Sequence, residues 1–135
     1  MSAIDRDDPR AVVLAFADAY TKWEIDMDAA ENGLYDPILQ KRCDTIIYDF
    51  CTHKKRSYID GLYSYGIPPT YALVVDENIV NVEAVTRSRT HVDTKLLRSH
   101  AYRFVLLKKK DGWRIDSVKW RFSDYKEWEN TLIGS

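Results

Sequence analysis

A long β-hairpin is the feature that most constrains how this chain can fold. Two β-rich runs flank Lys110-Asp111-Gly112 within residues 99–122. Aspartate followed by glycine between such runs predicts a tight turn, because glycine readily adopts the positive φ that hairpin turns require. A three-residue loop with Gly112 left-handed would place aromatic and aliphatic side chains opposite one another, and such pairs stabilise a sheet by roughly 0.2–1 kcal/mol each. We therefore predict the pairs Leu107–Ile115, Phe104–Val118 and Tyr102–Trp120.

An amphipathic helix is predicted near the N-terminus. Asp7-Asp8-Pro9 supplies an acidic cap followed by proline at the first helical position. Asn32-Gly33 would end the helix through a left-handed glycine. Between these signals, apolar residues recur every three or four positions, as on the buried face of a helix of about five turns: Val12, Val13, Phe16, Tyr20, Trp23 and Met27.

A second helix is predicted after Asp36-Pro37, and the basic run Lys54-Lys55-Arg56 would complement the dipole at its C-terminus. Cys43 and Cys51 are eight residues apart in this helix. Their separation of about 12 Å, at about 1.5 Å per residue, is too long for a disulfide. We expect buried thiols in a reducing cytoplasm. The predicted inner face is Leu39, Cys43, Ile46, Ile47, Phe50 and Cys51.

The remaining chain predicts one loop and several strands. Residues 57–71 are rich in tyrosine and contain Pro68-Pro69, and a loop of this length in a compact domain tends to be functional. Strands are predicted at Leu73–Val75, at Ile79–Arg89 and, as a further possibility, at His91–Leu97. The tail after Phe122 is compatible with a short helix or an extended segment.

These elements define an α+β fold class. We predict a single domain, residues 1–135, in which two N-terminal helices pack on a strongly curved, mostly antiparallel sheet. A chain of 135 residues with 45% hydrophobic residues is long enough to bury a real core. No apolar run approaches the roughly 18–20 residues that a membrane span needs. The acidic, polar N-terminus does not resemble a secretory signal, so we expect a cytoplasmic protein without membrane contact.

The formal net charge is only −1, but the charge is unevenly distributed. Residues 1–31 contain eight acids and three bases, whereas residues 98–121 contain eight bases and two acids. This asymmetry is compatible with a charged binding face, although strands often carry solvent-exposed lysine and arginine that prevent aggregation. Solvent-exposed basic residues on the strands are the preferred explanation.

The order of elements resembles a known superfamily. The strand start Gly112-Trp113 with Ile115 is similar to the last hairpin of the nuclear transport factor two-like cone fold. Three further features resemble the cone-fold immunity proteins that accompany bacterial polymorphic toxins, and the resemblance extends from about residue 8 to residue 122. These features are Trp23-Glu24, then Phe50-Cys51-Thr52 with Lys54-Lys55-Arg56, and Tyr65-Gly66-Ile67-Pro68-Pro69-Thr70-Tyr71.

The resemblance implies a small binding protein that neutralises a cognate toxin without catalysis and without a cofactor. Cone-fold proteins often dimerise through the sheet, so the resemblance also allows a homodimer of this chain. The family has no catalytic motif to transfer, and its partner-facing residues vary with the toxin. From the residue types that anchor protein interfaces and steer basic partners, the candidates for toxin contact are Tyr58, Tyr63, Tyr65, Tyr71, Glu24, Asp26, Asp28 and Glu31.

The same superfamily contains isomerase-like and dehydratase-like enzymes, which supply the alternative function. Their chemistry needs a general base and a donor that converge in a dry pocket. Asp116, which lies opposite Leu106 in the predicted register, and Tyr20 are the candidates here. The preferred prediction is that Asp116 lies in a bulge or faces solvent and that Tyr20 is a core aromatic residue. The pocket between the first helix and the sheet would be lined by Tyr20, Trp23, Tyr102, Phe104, Trp113, Asp116 and Trp120.

Other ligand classes are not supported by the sequence. His53, His91 and His100 form no HxxxH or histidine–carboxylate cluster, so we predict no metal site. Arg103 and Trp120 belong to a set of basic and aromatic residues on the last two strands. Aromatic and basic residues should point to opposite faces of those strands, so we expect no nucleic-acid platform.

Overall fold

The computed structural model describes residues 4–56, 66, 68–123 and 126–131. Two helices precede a five-stranded sheet whose strands lie in sequence order and pair antiparallel throughout. The predicted α+β class is confirmed. The helices are α1 (Pro9–Ala29) and α2 (Pro37–Phe50), and the strands are β1 (Ile79–Thr86), β2 (Arg89–Thr94), β3 (Ala101–Lys109), β4 (Gly112–Arg121) and β5 (Glu129–Asn130).

Both helices begin where the sequence predicts. The Asp8 side chain accepts a hydrogen bond from the Arg10 backbone N–H at 3.0 Å, and Asp36 does the same for Ile38 at 2.9 Å. Each cap satisfies one of the N–H groups that a helix start leaves without an internal partner. The predicted inner faces are buried, except that Leu39 is only partly covered.

The predicted helix ends are wrong in their detail. Gly33 does not form a left-handed cap; α1 ends at Ala29, and Gly33 opens a short 3₁₀ helix, Gly33–Tyr35. A Cβ atom at Gly33 would lie 2.6 Å from the Met27 carbonyl oxygen, so glycine is needed there for space rather than for φ. Helix α2 ends at Phe50, so the basic run at 54–56 lies beyond the helix and does not stabilise its last turn.

The hairpin register is half as predicted. Phe104 pairs with Val118 and Tyr102 with Trp120, which confirms the base of the hairpin. At the tip, Lys109 pairs with Gly112 and Leu106 with Ile115, so the predicted three-residue loop and the pair Leu107–Ile115 are wrong. Gly112 has the expected positive φ, 113°. The extra residue of β4 lies at Asp116, within a bulge, and not in the turn.

Three other predictions about the strands are corrected. The run predicted as Ile79–Arg89 is broken by a turn at Arg87-Ser88, and this turn joins β1 to β2. Leu73–Val75 is irregular instead of a strand: the Val74 N–H donates to the Tyr71 carbonyl at 3.0 Å in a turn, and the 3₁₀ helix Asp76–Asn78 follows directly. The C-terminal tail is extended where it is described, and β5 pairs with β4.

An aromatic cluster occupies the centre of the core. The Tyr71 ring lies 5.2–5.8 Å from four neighbouring rings, counting centroid to centroid, with tilted or edge-on geometry. Such arrangements suit the charge distribution of aromatic rings. The four neighbours come from α1 and from β3, so Tyr71 joins the first helix to the sheet: Phe16, Tyr20, Tyr102 and Phe104.

Trp23 joins the two helices. Its side chain is fully buried, and its indole N–H donates to the Leu39 carbonyl in α2 at 2.9 Å.

Cys43 and Cys51 are buried free thiols, as predicted, and burial raises the pKa of both to about 12. Neither described helix has the length and apolar character required to cross a bilayer.

Candidate functional site

Glu24 is a buried carboxylate that holds the end of the proline-containing loop. It lies on the inner stripe of α1, beside Trp23, and none of its surface is exposed. Its carboxylate accepts hydrogen bonds from the Thr70 backbone N–H at 2.8 Å, the Thr70 hydroxyl at 2.9 Å and the Gly66 backbone N–H. Burial raises the pKa of Glu24, and the bonds from Gly66 and Thr70 oppose that rise. Glu24 is therefore a structural anchor, and the prediction that it contacts a partner is corrected.

The tyrosine candidates are divided by the structure. Tyr71 is 4% exposed and belongs to the core, so it does not serve as an exposed anchor. Tyr58, Tyr63 and Tyr65 lie outside the described residues. Their role in binding stays a prediction.

The acids at the end of α1 face solvent. Asp28 and Glu31 are exposed, and Asp26 forms an ion pair with Arg42 of α2. An exposed ion pair of this kind is worth about 0–1 kcal/mol. These three side chains are accessible to a partner, and their contact with one stays a prediction.

The residues predicted to line an inner pocket do not converge on one cavity. Tyr20, Trp23, Tyr102 and Phe104 are buried in the core, where they pack against other rings. Trp113 and Trp120 lie near opposite ends of β4, and Asp116 lies in the bulge between them. Burial raises the pKa of Tyr102 to about 12, with a smaller contribution from Glu24.

Asp116 is directed away from the core and toward the segment that follows α2. Its carboxylate accepts from the Thr52 hydroxyl at 2.8 Å and lies 3.3 Å from the Lys54 ammonium. Burial acts to raise the pKa of Asp116, but the Thr52 hydrogen bond and the Lys54 charge outweigh burial and lower it. Asp116 therefore lies in a bulge, which is the preferred prediction, and the alternative position opposite Leu106 is wrong. It shares no contact with Tyr20, the other member of the proposed catalytic pair.

Arg56 fixes the other side of the bulge. Its guanidinium is buried and donates to the Asp116 carbonyl at 2.9 Å and to the Thr52 hydroxyl at 3.0 Å. The Thr52 backbone N–H also donates to the Ile115 carbonyl at 2.8 Å. The segment after α2 thus pairs with β4 at the bulge. The basic run has a structural role here that its position in the sequence did not suggest.

The pH dependence of stability tests the Asp116 contacts. Because the folded-state pKa lies below the usual 3.8, the ionised carboxylate stabilises the fold above that value. This contribution is lost as the pH falls through the folded-state pKa. We expect Asp116→Asn to lower the free energy of unfolding by about 1 kcal/mol at neutral pH, since asparagine still accepts from Thr52 but has no charge for Lys54. Urea unfolding of the wild type and of Asp116→Asn should show that their difference in free energy of unfolding is smaller at strongly acidic pH than at neutral pH. A difference that does not change with pH would contradict the stabilising role of the Asp116 charge.

Arg114 closes the C-terminal end of α2. The side chain is largely buried, and its Nη1 group donates to the carbonyls of Tyr48, Asp49 and Cys51 at 2.7, 3.1 and 3.1 Å. Its Nη2 group forms an ion pair with Asp111 in the hairpin turn at 2.6 Å. A cation at this position complements the negative end of the helix dipole. The role predicted for the basic run at 54–56 is therefore performed by Arg114.

A polar groove lies between the hairpin tip and the end of α2. We call it the tip groove; it has a volume of about 540 Å³ and is open to solvent. Four basic side chains and two carboxylates contribute to its lining, which leaves an excess of two positive charges. The lining residues are Thr52, His53, Lys54, Lys109, Lys110, Asp111, Arg114 and Asp116.

A second groove of about 330 Å³ lies at the opposite end of β3 and β4. Pro68 and Pro69 form one wall, and Tyr102 and Trp120 belong to the other. At its rim, Arg98 has a φ of 57°, which is uncommon for a residue other than glycine. His100 is also in the lining, and burial lowers its pKa. The groove is less polar than the tip groove.

The part of the chain that the structure describes contains no group of three or more histidine, cysteine, aspartate or glutamate side chains placed to hold a metal ion. The structure instead draws attention to residues that sequence reasoning missed. Tyr48 is 64% exposed beside the tip groove, and Lys109 and Lys110 are exposed on the groove itself. The helical spacing of α2 places Tyr48 opposite its apolar face, so an exposed aromatic residue was detectable there.

The described elements define a cone-like α+β domain of the nuclear transport factor two-like class, with both helices on one face of a curled antiparallel sheet. The model of the family described as "Imm-NTF2: NTF2 fold immunity protein" matches residues 8–131. The chain belongs to this family, and the resemblance found in the sequence is confirmed. No curated protein and no solved structure matches the chain.

Proposed function

We propose that this protein protects the cell that makes it by binding a cognate bacterial toxin in the cytoplasm, without catalysing a reaction. The observation that carries the proposal is the family match over residues 8–131, because immunity is the role that defines the family. The structure supports binding over catalysis. The two residues predicted to act as a catalytic pair have separate partners: Asp116 contacts Thr52 and Lys54, while Tyr20 packs in the aromatic core.

Co-expression tests this function. A toxin-like gene from the neighbourhood of the gene for this protein is expressed in a sensitive bacterial host, alone and together with this chain. We expect growth to be restored only when the two proteins are expressed together, and the purified proteins to co-elute in size-exclusion chromatography. A host that stops growing in the presence of correctly folded protein would contradict the proposal.

A homodimer through the sheet is a separate proposal. On the sheet face opposite the helices, the Trp128 ring lies over Arg121 and Arg103, with 4.2 and 4.8 Å between ring centroid and guanidinium carbon. The C-terminal tail therefore covers part of the surface that such a dimer would use. Sedimentation of the purified chain would determine its oligomeric state.

A further inference from the structure

We propose that the tip groove binds an acidic segment of the toxin, with Tyr48 as the aromatic anchor at the groove's edge. This inference rests on the proposed function, because it names the surface and the partner chemistry through which that function would operate. It also reverses the expectation from sequence, in which acids on α1 meet a basic toxin.

The charges of the groove favour a negatively charged partner. Both carboxylates in the lining already have partners: Asp111 is bonded to Arg114, and Asp116 to Thr52 and Lys54. Lys109 and Lys110, in contrast, form no ion pair with any residue that the structure describes. Exposed charges without partners inside a concave surface attract opposite charges and accelerate association.

Tyr48 has the properties of an interface anchor. Its ring is 64% exposed, yet it stacks on the His53 ring with centroids 4.2 Å apart and planes 12° from parallel. His53 is held in turn, because its Nε2 atom donates to the Tyr48 carbonyl at 2.9 Å. An exposed tyrosine that is already fixed in place loses little conformational entropy on binding, and tyrosine is enriched among the residues that dominate binding energy.

Hydrogen bonds from two arginines hold the base of the groove in place. Arg114 ties the hairpin tip to the end of α2, and Arg56 ties the bulge at Asp116 to the segment beyond the helix. The lysines at the tip are therefore presented on a fixed support.

An acidic protein segment fits this groove better than a nucleic acid does. A phosphate backbone requires a broad positive surface, whereas this chain has a net charge of −1 and two carboxylates inside the groove itself. Carboxylates presented singly on a protein loop can pair with Lys109 and Lys110 while Asp111 and Asp116 keep their own cationic partners.

The experiment compares two double charge reversals in the full chain. Lys109→Glu/Lys110→Glu changes the groove, and Lys41→Glu/Lys95→Glu makes the same change in charge at two exposed lysines elsewhere. Binding to the toxin that this chain neutralises in the co-expression test is measured at low and high salt. We expect the groove variant to lose about ten-fold in association rate and about 100-fold in affinity, with the loss of rate largest at low salt. The control should stay within about two-fold, and Tyr48→Ala should mainly increase the dissociation rate.

Zero-length carbodiimide cross-linking tests the chemistry of the partner directly, because it joins amines only to carboxylates in contact with them. We expect cross-links from Lys109 or Lys110 to aspartate or glutamate of the toxin. Circular dichroism and urea unfolding verify that each variant is folded before it is compared.

The possible failures are distinguishable. If the wild-type chain neither binds the toxin nor restores growth, the proposed function fails, and the groove assignment with it. If the wild type protects cells and Lys109→Glu/Lys110→Glu protects them equally with unchanged kinetics, only the groove assignment fails. Binding of a single-stranded oligonucleotide to the wild type, lost in the groove variant, would also overturn the assignment.

Discussion

Replacing Glu24 with alanine should lower the free energy of unfolding by about 3 kcal/mol. The variant loses three hydrogen bonds to a buried carboxylate and leaves the Gly66 and Thr70 N–H groups without their acceptor. Each unsatisfied buried donor costs about 1–3 kcal/mol, and the cavity left by the side chain adds to that loss. Urea unfolding gives the free energy, and hydrogen exchange should show faster exchange at Gly66 and Thr70.

Asp28→Ala is the matched control, because it removes an exposed acid from the same helix. We expect a change within about 0.5 kcal/mol for that variant. Glu24→Gln should fall between the two, since one amide oxygen replaces two carboxylate oxygens. A loss below about 1 kcal/mol for Glu24→Ala, with unchanged exchange at the loop, would show that Glu24 does not anchor it.

The pKa of Glu24 gives this prediction a second readout. Because burial raises the folded-state pKa above the usual 4.5, the ionised form is disfavoured in the fold. The contribution of protonated Glu24 to the free energy of unfolding is fully present below pH 4.5 and is lost as the pH rises through the folded-state pKa. The wild type should therefore gain stability relative to Glu24→Gln as the pH is lowered from 7 toward 4.5.

Replacing Arg114 with methionine should cost about 2–4 kcal/mol of stability. The change removes the cation from the end of α2 and leaves carbonyl groups of Tyr48, Asp49 and Cys51 without this donor. A charge at a helix end contributes up to about 2 kcal/mol in a partly buried geometry, and hydrogen bonds to charged groups contribute about 1.5–3 kcal/mol. Methionine keeps much of the side-chain volume, so the loss reports on the polar contacts.

Arg114→Lys separates charge from geometry. Lysine restores the positive charge but not the planar fork that reaches the helix end and Asp111 together, so we expect partial recovery. Lys119→Met is the control on the same strand, where the ammonium has one exposed hydrogen bond to Asn130. The Asp111 hydrogen bond to Arg114 lowers the pKa of that carboxyl, and NMR titration should find the pKa restored toward 3.8 in Arg114→Met. An unchanged Asp111 pKa would contradict the assigned ion pair.

Local sequence signals predicted the helices and the base of the hairpin. The caps at Asp8 and Asp36 and the three- and four-residue spacing of apolar residues depend on neighbours within one or two helical turns. The pairs Phe104–Val118 and Tyr102–Trp120 followed from matching like side chains across the strands. These features are decided by short stretches of chain, so they can be recognised in a single sequence.

The remaining features depend on residues far apart in the chain. Glu24 lies on the same helical stripe as Tyr20 and Met27, but the donors that make its burial possible are 42 and 46 positions away. The basic character of Arg56 suggested a helix end, and its partners at Ile115 and Asp116 are reached only after the sheet has formed. The extra residue of β4 is predicted in the turn, because a longer turn and a bulge give the same pairs at the base of the hairpin.

The bulge at Asp116 determines which side chains face the core in the outer half of the hairpin. Between the bulge and the tip, the alternation of inner and outer side chains is shifted by one residue relative to the base of β4. Deleting Asp116 alone would restore simple alternation with Leu106 still opposite Ile115, and it would remove the contacts with Thr52 and Lys54. Straightening the bulge without a deletion would instead exchange the faces of Ile115 and Arg114, which would turn a charge toward the core. The length of the hairpin beyond the bulge can therefore change by matched residues on both strands, whereas a single insertion or deletion requires a compensating one.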